Sequence, residues 1–147
     1  MTSLVDEARQ WIGTPYVHGQ SLKGVGCDCL GLVRGVWRAV CGDETWTVPA
    51  YSGDWAESSG KERLKEAFDV HLIRRDLKAA RPGDVLIFRM RDNAVAKHAA
   101  ILSAGHVDEA RACLIHAYWG HAVTEGWLGP WWRRRVIGAY AFPDVVC

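Results

Sequence analysis

The hydrophobic period of this chain changes once, at Arg81-Pro82-Gly83-Asp84, and that change limits the folds open to it. Before it, apolar residues recur at helical spacing; after it they gather in short runs separated by turn signals. The spacing predicts a first helix over residues 3–12, capped by Ser3 with Asp6 three residues on and presenting Leu4, Ala8, Trp11 and Ile12. A second helix is predicted from Cys29 to Val40, with Asp28 as N-cap, Leu30, Val33, Trp37 and Val40 as its apolar stripe, and Gly42 as its stop. Gly31 and Gly35 weaken that helix intrinsically, which argues for close approach to packed neighbours. A third helix, about 59–72, starts at a Ser59/Glu62 capping box. Beyond the change, segments 84–90, 98–104, 112–119 and 135–142 read as strands, with another near 121–128. Helices first and an antiparallel sheet afterwards define an α+β domain, with N-terminal helices packed on the sheet.

At 147 residues the whole chain, 1–147, suits one domain. With 18 basic and 17 acidic side chains it lacks the basic stripe of a nucleic-acid binder. The run Arg133-Arg134-Arg135 is short enough to be a solvated strand start. No stretch reaches the length of a membrane span, and the first residues, with Asp6 and Glu7, do not read as a signal peptide. Five cysteines at 27, 29, 41, 113 and 147 have no framework spacing, so a disulfide scaffold is not expected and a reducing cytosol is the expected place of synthesis. Eight tryptophans are many for this length. Trp127, Trp131 and Trp132 flank Gly129-Pro130 beside the three arginines, and such rings either anchor an interface, close the sheet or line a cleft.

The chemistry-bearing residues begin with Cys29. If Asp28 caps the helix, Cys29 is its first residue, where unpaired N–H groups and the helix dipole favour a thiolate and can hold an oxyanion. A small buried hydrophobe is the alternative for any free cysteine. His98 opens one predicted strand and His116 lies in the next, so the two can line up as base and orienter of a Cys-His-His site. Cys27 lies before the cap and reads as packing. A metal centre built from Cys27, Cys29, Cys41, His98, His116 and His121 is the rival reading, but Cys-x-Cys is not the usual ligand spacing, and no cofactor is expected.

These segments resemble, in order, the motifs of the NlpC/P60 family of cell-wall cysteine peptidases. GTPYVHG (13–19) looks like the family's Gly-x-Pro-Tyr-x-x-Gly segment, and GCDCLGLV (26–33) like its Asp-Cys-Ser-Gly-Leu nucleophile motif. RPGDVLIF (81–88) is similar to its Pro-Gly-Asp strand, HAAILS (98–103) to its base strand, and LIHAYWGHAV (114–123) to the strand carrying the third residue. GVGCDCLGLVRGVWR and WIGTPY further resemble the small cell-wall peptidases of tailed-phage and gene-transfer-agent tail clusters.

The resemblance implies a papain-like fold with the nucleophile at a helix N-terminus. It implies Cys29 as nucleophile, His98 as base, His116 as orienter, and Tyr16 near the oxyanion or substrate. The implied substrate is the peptidoglycan stem peptide, cut beside D-glutamate at a D-glutamyl–diaminopimelate bond. The implied partners are other tail-tip or baseplate proteins, the enzyme being carried in a phage-like particle and acting in the wall of the target cell. Leu30 stands where the family usually has Ser, so a hydroxyl that helps hold a free amine is missing, while Asp28 remains to pair with it. Two further readings share the plan: an amidase or transglutaminase-type acyl transfer, and a catalytically silent structural tail-tip protein.

Overall fold

The computed structural model describes residues 3–46, 48, 51 and 62–143. Helix α1 spans Leu4–Arg9, with Ser3 Oγ accepting from the Asp6 N–H at 3.0 Å. It is shorter than the predicted 3–12 because the chain turns from Gln10 onward into Gly13, whose φ of 92° ends any helix. Strands β1 (Ser21–Leu22) and β2 (Gly26–Cys27) form a small hairpin. Directly after it, α2 runs over Cys29–Cys41, with Asp28 in extended conformation as its cap and Gly42, at φ 93°, as its end.

Helix α3 covers Arg63–His71 and follows Glu62. The Glu62 side chain makes no cap bond; its Oε1 accepts the Ala96 N–H at 2.9 Å, and Ser59 lies outside the described residues. The remaining elements are β3 (Ile73–Arg75), a 3-10 turn at Leu77–Ala79, β4 (Val85–Arg89), β5 (Ala96–Ala104), β6 (Cys113–His116), β7 (Thr124–Trp127), α4 (Pro130–Arg133) and β8 (Val136–Ala141).

Six of these strands form one antiparallel sheet in the order β3-β8-β4-β5-β6-β7. Both of its faces are covered. Val85, Ile87, Ala99, Ile101 and Ile115 pack with α1, α2 and α3, while Leu86, Phe88, Ala100, Leu102 and Leu114 pack with Leu128 and Trp132 on the other side. Burial on both faces explains why β4 reads as an unbroken apolar run, without the alternation of a half-exposed strand.

Further features differ from the sequence reading. Strand β3 is three residues long and two of them are arginines, so it carries no apolar signal. Helix α4 is a single turn that starts at Pro130, and the arginine run lies at its end and after it, ahead of β8. The strand expected over 112–119 stops at His116, and Tyr118 and Trp119 leave the sheet. Cys27, Cys29 and Cys113 are free thiols, whereas Cys41 is engaged in a disulfide that the cysteine spacing did not announce.

The two glycines of α2 make the close approaches that their presence suggested. A Cβ at Gly31 would sit 1.9 Å from the carbonyl oxygen of Gln20, and one at Gly35 would sit 2.0 Å from Cζ2 of the buried Trp11. Backbone cannot yield as a side-chain tip can. Gly31→Ala is therefore expected to lower stability by about 2 kcal/mol or more, a fall in Tm of roughly 5 °C. Thermal unfolding of Gly31→Ala beside Ala39→Gly, an exposed change on the same helix, checks this; equal stability of the two variants would contradict the packing described.

Candidate active site

The start of α2 is fixed by one carboxylate. Asp28 is 1% exposed. Its Oδ1 accepts the Gly31 N–H at 2.7 Å, and its Oδ2 accepts the Gly19 N–H at 2.7 Å and the Tyr51 hydroxyl. His18 Nδ1 lies 3.8 Å from the same oxygen, and its Nε2 meets the Tyr51 carbonyl. The carboxylate that the resemblance reserved for a substrate amine is thus filled from within the chain, and Asp28 is not among the residues lining the neighbouring cleft. Tyr51 had no motif to mark it, and only its contact with Asp28 reveals its part.

Cys29 follows as the first residue of α2, 4% exposed, with the N–H groups of Leu30 and Ala99 directed to its thiol. It lines a cleft of about 390 Å³ together with Tyr16, Lys97, His98, Tyr118 and Trp131. Burial pushes the Cys29 thiol up, and the Asp28 carboxylate adds to that, outweighing the two N–H groups that favour a thiolate. Placement at the helix start is as the sequence predicts; the depressed pKa inferred from it is not what this environment gives, because burial outweighs the donors. Cys27 is wholly buried on β2 and, by burial and Asp28, is pushed up to about 12.

His98 stands where β5 bulges. Arg89 pairs with Ala96 and Phe88 with His98, leaving Lys97 as an extra residue that re-aims the strand. Across the β5–β6 pair, His98 Nε2 lies 2.8 Å from His116 Nδ1. Both rings are buried, and burial pushes His98 well below, and His116 down to about 4 from, the ordinary imidazole value. The second causes are His116 for His98 and His121 for His116. Two neutral imidazoles sharing one hydrogen bond need one donor and one acceptor. With His98 carrying its proton on Nε2 and donating to His116 Nδ1, the His98 Nδ1 lone pair is left to accept a proton.

An aromatic cage holds the pair. Trp132 lies 5.1 Å from the His98 ring and 5.0 Å from the His116 ring, Tyr118 is 5.5 Å from His98, and Phe88 closes a third side at 5.6 Å. Trp131 and Trp119 line the cleft, Trp119 against Tyr16 at 5.4 Å, so most of the C-terminal ring cluster gathers at this site. Trp127 is elsewhere, its Nε1 donating to the Ala110 carbonyl. Tyr118 is the residue that sequence reasoning missed as a site component, its proximity to His116 in the chain being the available signal, whereas Trp132 belongs to the rings for which interface, sheet and cleft were left open. Among the described residues no group of three His, Cys, Asp or Glu side chains is arranged to hold a metal.

The class defined by this layout is an α+β domain with a thiol at a helix start facing a cleft that it shares with a sheet-borne histidine pair. NlpC/P60 domains have this fold. The chain aligns with the NlpC/p60 domain of the peptidoglycan hydrolase SagA at 24% identity and a TM-score of 0.65, over 95% of this chain and 97% of that one. A similar-to-lipoprotein NLP/P60 protein of Staphylococcus aureus aligns at 21% identity and a TM-score of 0.63, over 96% of this chain and 41% of its own. By sequence the chain is 27% identical over 146 residues to the gamma-DL-glutamyl hydrolase of Bacillus subtilis (strain 168), covering 97% of this chain but 29% of that protein. It thus spans less than a third of that relative's length. No protein-family profile matches the chain.

The buried histidines tie stability to pH. In the unfolded chain an imidazole titrates near 6.5, whereas His116 in the fold titrates near 4. Between those values the unfolded chain binds a proton that the folded chain refuses. Stability therefore rises with pH there and is lost as pH falls from about 6.5 toward 4, by on the order of 3 kcal/mol for His116 alone. Melting curves between pH 7 and pH 4.5 are expected to show that loss, and His116→Asn to show a shallower one. Identical pH slopes for the two proteins would mean that His116 is not held neutral by the fold.

Proposed function

We propose that this chain is a cysteine peptidase that hydrolyses the peptide part of peptidoglycan. The observation that carries the reading is the cleft that Cys29 and His98 both line, with His116 Nδ1 2.8 Å from His98 Nε2. The fold shared with the SagA domain and the identity to a gamma-DL-glutamyl hydrolase support the substrate class.

In this reading the Cys29 proton passes to His98 Nδ1 as sulfur attacks the scissile carbonyl carbon. Both groups rest neutral, so charge separates only as the bond forms. The developing oxyanion is met by N–H groups at the start of α2, where Leu30 already directs its own toward the thiol. His98 then gives its proton to the departing amine, and the thioester left on Cys29 is hydrolysed by a water that His98 deprotonates. His116 keeps His98 in the competent tautomer and shares the charge of the imidazolium. Tyr16 forms a wall of the cleft on the Cys29 side.

The bond cut in this proposal is D-glutamyl–diaminopimelate. Because Asp28 is filled from within the chain and Leu30 is fully buried, neither offers a group to a free stem-peptide amine. The enzyme is therefore expected to accept stem peptides still attached to glycan. The resemblance of its nucleophile segment and of WIGTPY to tail-cluster peptidases supports a place at the tip of a phage-like tail.

Incubation with purified peptidoglycan followed by mass spectrometry of the soluble products tests this reading. Cys29→Ala is expected to release nothing, Cys27→Ala to keep most activity, and His98→Ala to lose about 10³-fold or more in kcat. His116→Gln, which can still accept from His98, is expected to lose less. Equal and complete loss in His116→Gln would assign the base to His116. For the location, the protein is expected in purified particles that penetrate the wall; its presence only as free protein would end the tail-tip assignment.

A further inference from the structure

Beside the catalytic cleft lies a second depression, of about 620 Å³, that the proposed hydrolysis does not use. It is formed where β4 ends, where β8 begins and where α4 hands over to β8. Among the described residues, Arg89, Arg91, Arg134, Arg135 and Asp92 line it. Four arginines and one aspartate among its described lining residues give the groove an excess of positive charge, in a chain whose formal net charge is +1.

The three arginines in series divide their tasks. Arg133 turns to the backbone, donating through Nη2 to the Glu109 and Leu128 carbonyls. Arg135 is anchored by its Nε to the Met90 carbonyl and by Nη1 to the Trp131 carbonyl, with its guanidinium 3.6 Å over the Trp131 ring. Arg134 is exposed. Anchoring through two nitrogens leaves Arg135 Nη2 for a ligand, already oriented, so less side-chain entropy is lost on binding. Arg89 contributes a buried Nε with no acceptor.

The groove also joins the cleft. Met90 lines both, and the Trp131 ring that carries Arg135 is itself a wall of the cleft. We propose that this groove is an exosite for anionic groups of the wall polymer, carboxylate or phosphate, which it grips while a neighbouring peptide lies at Cys29. The inference rests on the peptidoglycan reading. Planar guanidinium groups pair bidentately with either anion, and a polymer presenting many such groups would be held over several contacts at once.

The test separates binding from cleavage. Binding of Cys29→Ala to insoluble peptidoglycan is measured in a pull-down at increasing salt, with and without the charge reversals Arg91→Glu and Arg134→Glu, two exposed residues outside the catalytic machinery. The double reversal is expected to weaken binding by about tenfold or more and to flatten its salt dependence. In the Cys29-intact protein it is expected to leave turnover of a short soluble stem peptide within about twofold, since one peptide does not bridge groove and cleft. Walls stripped of phosphate polymers identify the anion: loss of the arginine-dependent part assigns phosphate, and its persistence assigns peptide carboxylate. Unchanged binding and salt dependence in the double reversal overturns the exosite. Wild-type protein that binds walls but releases no fragments would instead overturn the peptidase reading and leave the groove standing.

Discussion

A single buried carboxylate organises the part of this molecule that carries Cys29. Asp28 caps α2, ties down the loop at Gly19 and accepts the Tyr51 hydroxyl, so three separate stretches of chain converge on its two oxygens. A carboxylate that is 1% exposed is tolerable only because its acceptor sites are filled. Removing any one donor leaves a buried charge short of a partner, which costs more than the lost bond itself. The position of the Cys29 sulfur is inherited from that arrangement, since Cys29 is the next residue and its helix cannot start elsewhere. Gly31 completes the constraint: only glycine lets the first turn of α2 lie against the Gln20 carbonyl while its own N–H serves the cap.

The same carboxylate shapes the reactivity of the thiol. Its charge beside Cys29 opposes a resting thiolate, and burial does so more strongly. Burial likewise opposes protonation of the histidines. A thiol held up and an imidazole held down make a neutral pair at rest, and such a pair reacts only when something stabilises the separated charges. The substrate's own oxyanion, placed among helix N–H groups, would supply that. Trp132, Tyr118 and Phe88 keep the histidines dry, which strengthens each interaction made there.

Much of this was legible in the sequence because the signals were local. Ser3 and Asp28 as caps, Gly42 as a stop, and the apolar run of β4 each follow from a few neighbouring residues. Cys29 was placed by its cap, and His98 and His116 by lying on successive predicted strands, although β5 starts before His98 and β6 stops at His116. What was not legible depends on contacts between distant segments. Tyr51 meets Asp28 across 23 residues, and nothing near it in the chain announces that. Trp132 reaches the histidines because α4, a single turn opened by Gly129-Pro130, lays it beside β5 and β6. The raised thiol was missed because helix position is a local property and burial is not.

The arginine run shows how one motif can hold two functions that sequence cannot part. Read along the chain, Arg133, Arg134 and Arg135 are equivalent. In the fold, one turn of helix points the first at carbonyls under α4, and the last is locked over Trp131. A guanidinium fixed in this way is no longer a solvated surface charge; its orientation has been set by the same ring that walls the cleft. The ring beneath Arg135 is thus shared between the groove and the cleft that Cys29 lines. The proposed exosite and the proposed nucleophile therefore adjoin the same aromatic ring.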